Sequence, residues 1–119
     1  MTSLIACLTT GKGSWAIVNE LINSTDWEKV YLITNDFGKE KFTTNKPFEF
    51  VIINTDSSSK DIMNAVYSQL KGKIKETEVA LNFSSGAGKE HMAVLSAVLN
   101  LGVGIRLVDV QEGKMDVLF

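Results

Sequence analysis

Two short segments carry the residue types that hold anions. The first is Thr9-Thr10-Gly11-Lys12-Gly13-Ser14 and the second is Ser84-Ser85-Gly86-Ala87-Gly88-Lys89. Each combines hydroxyls, two glycines in a G-x-G arrangement and a lysine, ahead of an amphipathic stretch. Glycine lets backbone approach an anion closely, the N–H groups of a helix's first turn point at it, and lysine adds a full charge. Such charge-assisted hydrogen bonds contribute roughly 1.5–3 kcal/mol each. Taken alone, either segment is equally well a tight turn with a capped helix. If the fold places them side by side, the pair points to a phosphate-bearing ligand held between them.

Neither segment is a Walker A motif, because Phe83 stands where G-x-x-x-x-G-K needs its first glycine. Gly11, Gly13 and Ala16 do match G-x-G-x-x-A, with Asp36 near the place of a ribose-binding acid. Trp15 is bulky for that turn, so a nicotinamide or flavin enzyme is the weaker alternative. His91, the only histidine, falls two residues after Lys89. It is either a solvated or capping residue or, facing the ligand, a general acid or base-stacking ring. Glu90 is expected to compensate the helix dipole, Trp15 to sit in the core or an interface, and Arg106 to pair with Asp109 or a helix residue. No His, Cys and carboxylate group has metal-ligand spacing, so neither a metal nor a cofactor is expected.

The elements that must position these loops alternate along the chain. Residues 3–9, 30–34, 48–54, 79–83 and 104–110 read as buried strands, being short apolar runs closed by turn residues. Helices are expected from Ser14, which can cap the first, from the serines at 57–59, and over residues 88–101. Residues 35–46 read as a loop or short irregular helix, a candidate lid. Residues 114–119 follow a turn at Gln111, Glu112 and Gly113, which favours a closing antiparallel hairpin strand. Such alternation implies parallel pairing with right-handed crossovers. The fold class is therefore α/β, a Rossmann-like three-layer sandwich of order 3-2-1-4-5-6. In that order the first and fourth strands are neighbours at the topological switch point, so both loops face one crevice.

The chain has 119 residues, 45% hydrophobic and 22% charged, which suits a single domain over residues 1–119. Twelve basic against fourteen acidic side chains leave a net charge of −2, so a broad grip on duplex nucleic acid is not expected. A single cysteine, Cys7, excludes an intramolecular disulfide and suits a reducing cytoplasm. The apolar run at residues 4–8 is too short for a membrane span and lacks a basic leader.

A first strand ending in T-T-G-K-G-S, with a later N-F-S-S-G-A-G-K-E-H-M-A-V-L-S-A-V-L-N-L-G-V-G-I-R-L-V, resembles the CARF domains, the CRISPR-associated Rossmann-fold sensors. Those carry a short Gly/Ser/Thr loop after strand one and a segment of the type N-x-[ST]-G-G-T-K after strand four. Here Ala87-Gly88 replaces the usual Gly-Thr before the lysine. The resemblance implies a homodimer whose two crevices join into one pocket for a cyclic oligoadenylate of type III CRISPR signalling, foremost cyclic tetra-adenylate. Thr9, Thr10, Gly11, Lys12, Gly13 and Ser14 match its first binding loop, and Ser84, Ser85, Gly86, Ala87, Gly88 and Lys89 its second. Asn35, Asp36 and Phe37 lie beside them, within reach of adenine or ribose. Most CARF proteins carry an effector, for which this chain has no room. Two jobs follow: a metal-independent ring nuclease that destroys the messenger in antiviral defence, or a non-catalytic binder acting on a separate effector. In the nuclease, Lys89 clamps the phosphoryl oxygens, Ser14 or Thr10 orients the attacking 2′-hydroxyl, and His91 protonates the leaving oxygen. A non-catalytic interaction module whose glycine loops are only turns remains the third alternative.

Overall fold

The computed structural model describes residues 2–9 and 12–119, with Lys12 as backbone only. The chain runs β1 (Ser3–Cys7), a 3-10 turn (Lys12–Ser14), α1 (Trp15–Asn23), β2 (Val30–Thr34), α2 (Asp36–Lys41) and β3 (Glu49–Ile52). It continues through α3 (Ser59–Leu70), β4 (Glu78–Asn82), α4 (Gly88–Leu101), β5 (Gly104–Gln111) and β6 (Lys114–Val117). The strands form one sheet of order β3-β2-β1-β4-β5-β6, the order expected from the sequence. All pairs are parallel except the β5-β6 hairpin.

Both sheet faces are covered, which explains why β1 reads as a continuous apolar run rather than an alternating one. Ile5 and Cys7 pack toward Ile62, Val66, Val94 and Val98 of α3 and α4. Leu4, Ala6 and Leu8 pack toward Trp15, Val18 and Leu21 of α1. β1 and β3 are shorter than the apolar runs 3–9 and 48–54. Even so, Leu8 N–H to Ile33 O (2.8 Å) and Ile53 N–H to Thr34 O (2.9 Å) extend the ladder by one rung.

Three local expectations change. Residues 36–41 form a true helix, capped by Asn35 Oδ1, which accepts from Gly38 N–H at 3.0 Å. That helix is pressed onto the sheet: a Cβ on Gly38 would stand 1.8 Å from Thr34 Oγ1 and 3.2 Å from Leu8 O. Ser14 takes the cap position of α1, but its side chain makes no capping bond, because the preceding turn is already 3-10. Arg106 pairs with Glu78 on the neighbouring strand (Nε to Oε2, 3.2 Å) rather than with Asp109 or a helix. Asp109 instead stands directly opposite Asp116 in the hairpin. Of the serines at 57–59, Ser58 caps α3, accepting from Asp61 N–H at 3.1 Å. Among the described residues no helix is long and apolar enough to cross a membrane.

Candidate functional site

The carboxyl ends of β1, β2, β3 and β4 all open at one end of the sheet, and β1 and β4 are adjacent there. The two glycine loops therefore meet at the point where strand order reverses. Their closest described contact is at Gly86, whose φ is +97°. A Cβ there would lie 2.8 Å from Thr9 Oγ1, 3.0 Å from His91 Nε2 and 3.3 Å from Cys7 Cβ. Glycine is thus required twice over, by conformation and by space. Gly13 and Gly88 face open space instead, leaving room for a ligand atom but needing none of glycine's freedom. Thr10 and Gly11 lie outside the described residues, as does the side chain of Lys12.

The second loop is organised by Asn82, to which the sequence reading gave no role, and by Glu90, which does more than that reading expected. Asn82, buried, donates from Nδ2 to Val108 O at 2.9 Å and to Ser84 Oγ at 3.1 Å, and accepts from Ser84 N–H at 3.1 Å. Its asparagine-two-residues-before-serine spacing is a turn signal that was available but unused. Glu90, also buried, accepts the Ala87 N–H at 3.0 Å, fixing the entry to α4 beyond simple dipole compensation. A ligand anion would therefore meet the first-turn donors that follow Ala87.

His91 is half-buried and donates from Nε2 to Ser85 O at 2.7 Å, while its ring stacks on Phe83 with centroids 4.7 Å apart. It clasps the loop from inside, and its Nε2 proton is already committed. Lys89 Nζ reaches across the sheet end and donates to Ser57 O at 2.9 Å. The cation thereby bridges the second loop to the entry of α3. Cys7, beneath Gly86, has its thiol pushed up to about 12 by burial and then by the nearby Glu90 carboxylate, so it is an inert floor rather than a nucleophile.

Beside this junction a cavity of about 540 Å³ lies between the carboxyl ends of β2 and β3, lined by Asn35, Asp36, Phe37, Ile53, Asn54 and Asp56. Asn35, Asp36 and Phe37 are thus next to the glycine loops, as the strand order requires. Phe37 is half exposed and packs on Trp15, with ring centroids 5.9 Å apart. Trp15 is core, yet among the described residues its indole N–H finds no acceptor and the buried Thr9 Oγ1 no partner. Two of the orphaned buried polar atoms thus flank the first loop. A second cavity, about 590 Å³, lies at the opposite end of the sheet between Trp27, Val30, Lys46 and Phe48, away from every loop residue singled out above.

The arrangement can hold a phosphate at the loop junction and a flat ring near Phe37. Among the described residues no group of three His, Cys, Asp or Glu side chains could hold a metal ion. No protein-family model matches the chain, and no curated protein matches it either.

Proposed function

We propose that this chain binds a cyclic oligoadenylate, cyclic tetra-adenylate foremost, as a pair of copies whose crevices join. The observation that carries the reading is the meeting of the two Gly/Ser/Thr/Lys loops at the strand-order reversal, with Gly86 in contact with Thr9. Ligands of open α/β sheets bind at this place. A cyclic nucleotide ring repeats phosphate and base, and the site offers a match for each: the α4 first turn with Lys89, and the cavity walled by Phe37. A ring of two-fold symmetry gives both copies identical contacts.

The test is a titration of purified protein with cyclic tetra-adenylate in EDTA, followed by calorimetry and product analysis. Binding is expected, and Lys89→Ala should weaken it about 10- to 100-fold, the range of one charge-assisted contact. Linear product ending in a 2′,3′-cyclic phosphate would make the binder a ring nuclease; intact ligand after hours makes it a sensor or sink. Stabilisation by NAD or FAD, with none by any cyclic oligoadenylate, overturns the reading.

A further inference from the structure

The two edges of the sheet end differently. At the β3 edge, the bond from Ile53 N–H to Thr34 O turns Val51 and Ile53 toward β2 and leaves Phe50 and Ile52 facing outward. A side chain then closes Ile52. Gln69 of α3 accepts the Ile52 N–H at Oε1 (3.2 Å) and donates from Nε2 to Ile52 O (2.9 Å), as a residue of a further strand would. Only Phe50 stays open on that four-residue strand. Folded proteins commonly cover an edge in this way, because unpaired N–H and C=O groups recruit other strands.

The β6 edge has no such cover among the described residues. Leu118 N–H bonds to Leu107 O, so Lys114, Asp116 and Leu118 turn their backbone groups to β5, while those of Met115 and Val117 point away. Among the described residues no hydrogen bond reaches the backbone of either outward residue. The strand is nonetheless held in place, since the Gly113 N–H in its turn donates to Glu20 of α1. Its two faces differ in chemistry. Met115 packs with Val108 and Val110 on the α1 side, and Val117, 55% exposed, extends that row. The other face sets Asp116 directly opposite Asp109, and like charges so placed repel. Lys114 shares that face, yet it forms no ion pair with either aspartate.

We propose that the outer edge of β6 accepts, as an added antiparallel strand, an extended segment of a separate protein in which apolar and basic side chains alternate. The backbone groups of Met115 and Val117 supply the ladder, and strand addition of this kind takes its specificity from alternate side chains. The residue opposite Asp116 lies on the aspartate face. A lysine or arginine there relieves the repulsion between Asp109 and Asp116. Its two neighbours fall on the α1 side, where apolar side chains continue the row of Met115 and Val117. A second copy of this chain is the wrong occupant: the antiparallel register that uses both outward residues places Asp116 against Asp116 and adds to the charge it should neutralise.

The test uses a short synthetic peptide alternating valine and lysine, titrated into the whole protein by fluorescence anisotropy and by hydrogen exchange. The lysine peptide should bind and protect the Met115 and Val117 amides, whereas a valine–glutamate peptide, or the lysine peptide N-methylated at its valines, should not. Val117→Pro removes one outward N–H without touching the bonds to β5, so it should weaken binding at least tenfold with circular dichroism unchanged. Asp116→Lys should reverse the preference toward the glutamate peptide. Absence of binding overturns the proposal. Binding that survives both N-methylation and Val117→Pro is attraction between charges alone and overturns it too. Self-association of the wild type that Val117→Pro abolishes gives the edge to a second copy and overturns the proposed occupant.

Discussion

Gly86 concentrates the fold's demands on one residue. Its positive φ and the 2.8 Å that an added Cβ would leave to Thr9 Oγ1 mean that Gly86→Ala should lower stability by about 1–3 kcal/mol, read as a lower melting temperature. Gly88→Ala is the contrast: with open space and helical backbone it should be neutral or raise stability by up to about 1 kcal/mol. Cys7 beneath Gly86 gives a prediction in pH. Its thiol rises from the ordinary 9.0 to about 12 on folding, so between those values the unfolded chain has lost a proton that the native one keeps. Stability should fall with rising pH across this window, Cys7 contributing at most ~1.4 kcal/mol per unit, and Cys7→Ala should make the slope shallower in denaturant titrations. The glycine loops were legible in the sequence as loops. Which glycine is indispensable was not, because that depends on Thr9 and His91, residues brought in from another strand and a later helix turn.

At the scale of elements, strands such as residues 79–81 were legible because burial on both faces leaves an unbroken apolar run. α2 was legible only as an ambiguous segment. Six residues with a glycine among them carry too little periodicity, and the helix is defined by the Asn35 cap and by the fit of Gly38 against Thr34. Likewise Lys89 was readable as a cation at a helix start, but its anchorage on Ser57 O joins positions 32 residues apart. At the other end of the sheet Ser3, fully buried, donates to Glu76. Although desolvation opposes it, this bond and backbone donors hold the Glu76 carboxyl below its usual range. The β5-β6 hairpin turns through Glu112 and Gly113, both at positive φ (52° and 76°). Two-residue hairpins of this twist favour asparagine at the first position, where glutamate is strained. Glu112→Asn should therefore raise stability by about 0.5–1 kcal/mol, measured by chemical denaturation.

At the scale of the molecule, the sheet has two unlike ends. The carboxyl end gathers the second glycine loop, the α2 cap and the entries to α3 and α4, laced together by bonds from Thr34 Oγ1 to Leu8 O, Asn82 to Val108 O and Lys89 to Ser57 O. Among the described residues, these elements are held by folding itself, and a ligand need not order them. Mass action then makes binding visible as stability, about 2.7 kcal/mol at a hundredfold excess over Kd. The two tryptophans divide along the same axis. Trp15 lies beside Phe37 at the crevice, its indole N–H without an acceptor among the described residues, while Trp27 lines the cavity at the far end with its N–H bonded to Leu21 O at 3.1 Å. Their light should differ accordingly, and the emission spectrum checks it: Trp15, 7% exposed, is expected at shorter wavelength than the half-exposed Trp27. The protein carries an optical gauge at the end where a ligand would enter and an internal reference at the end where it would not.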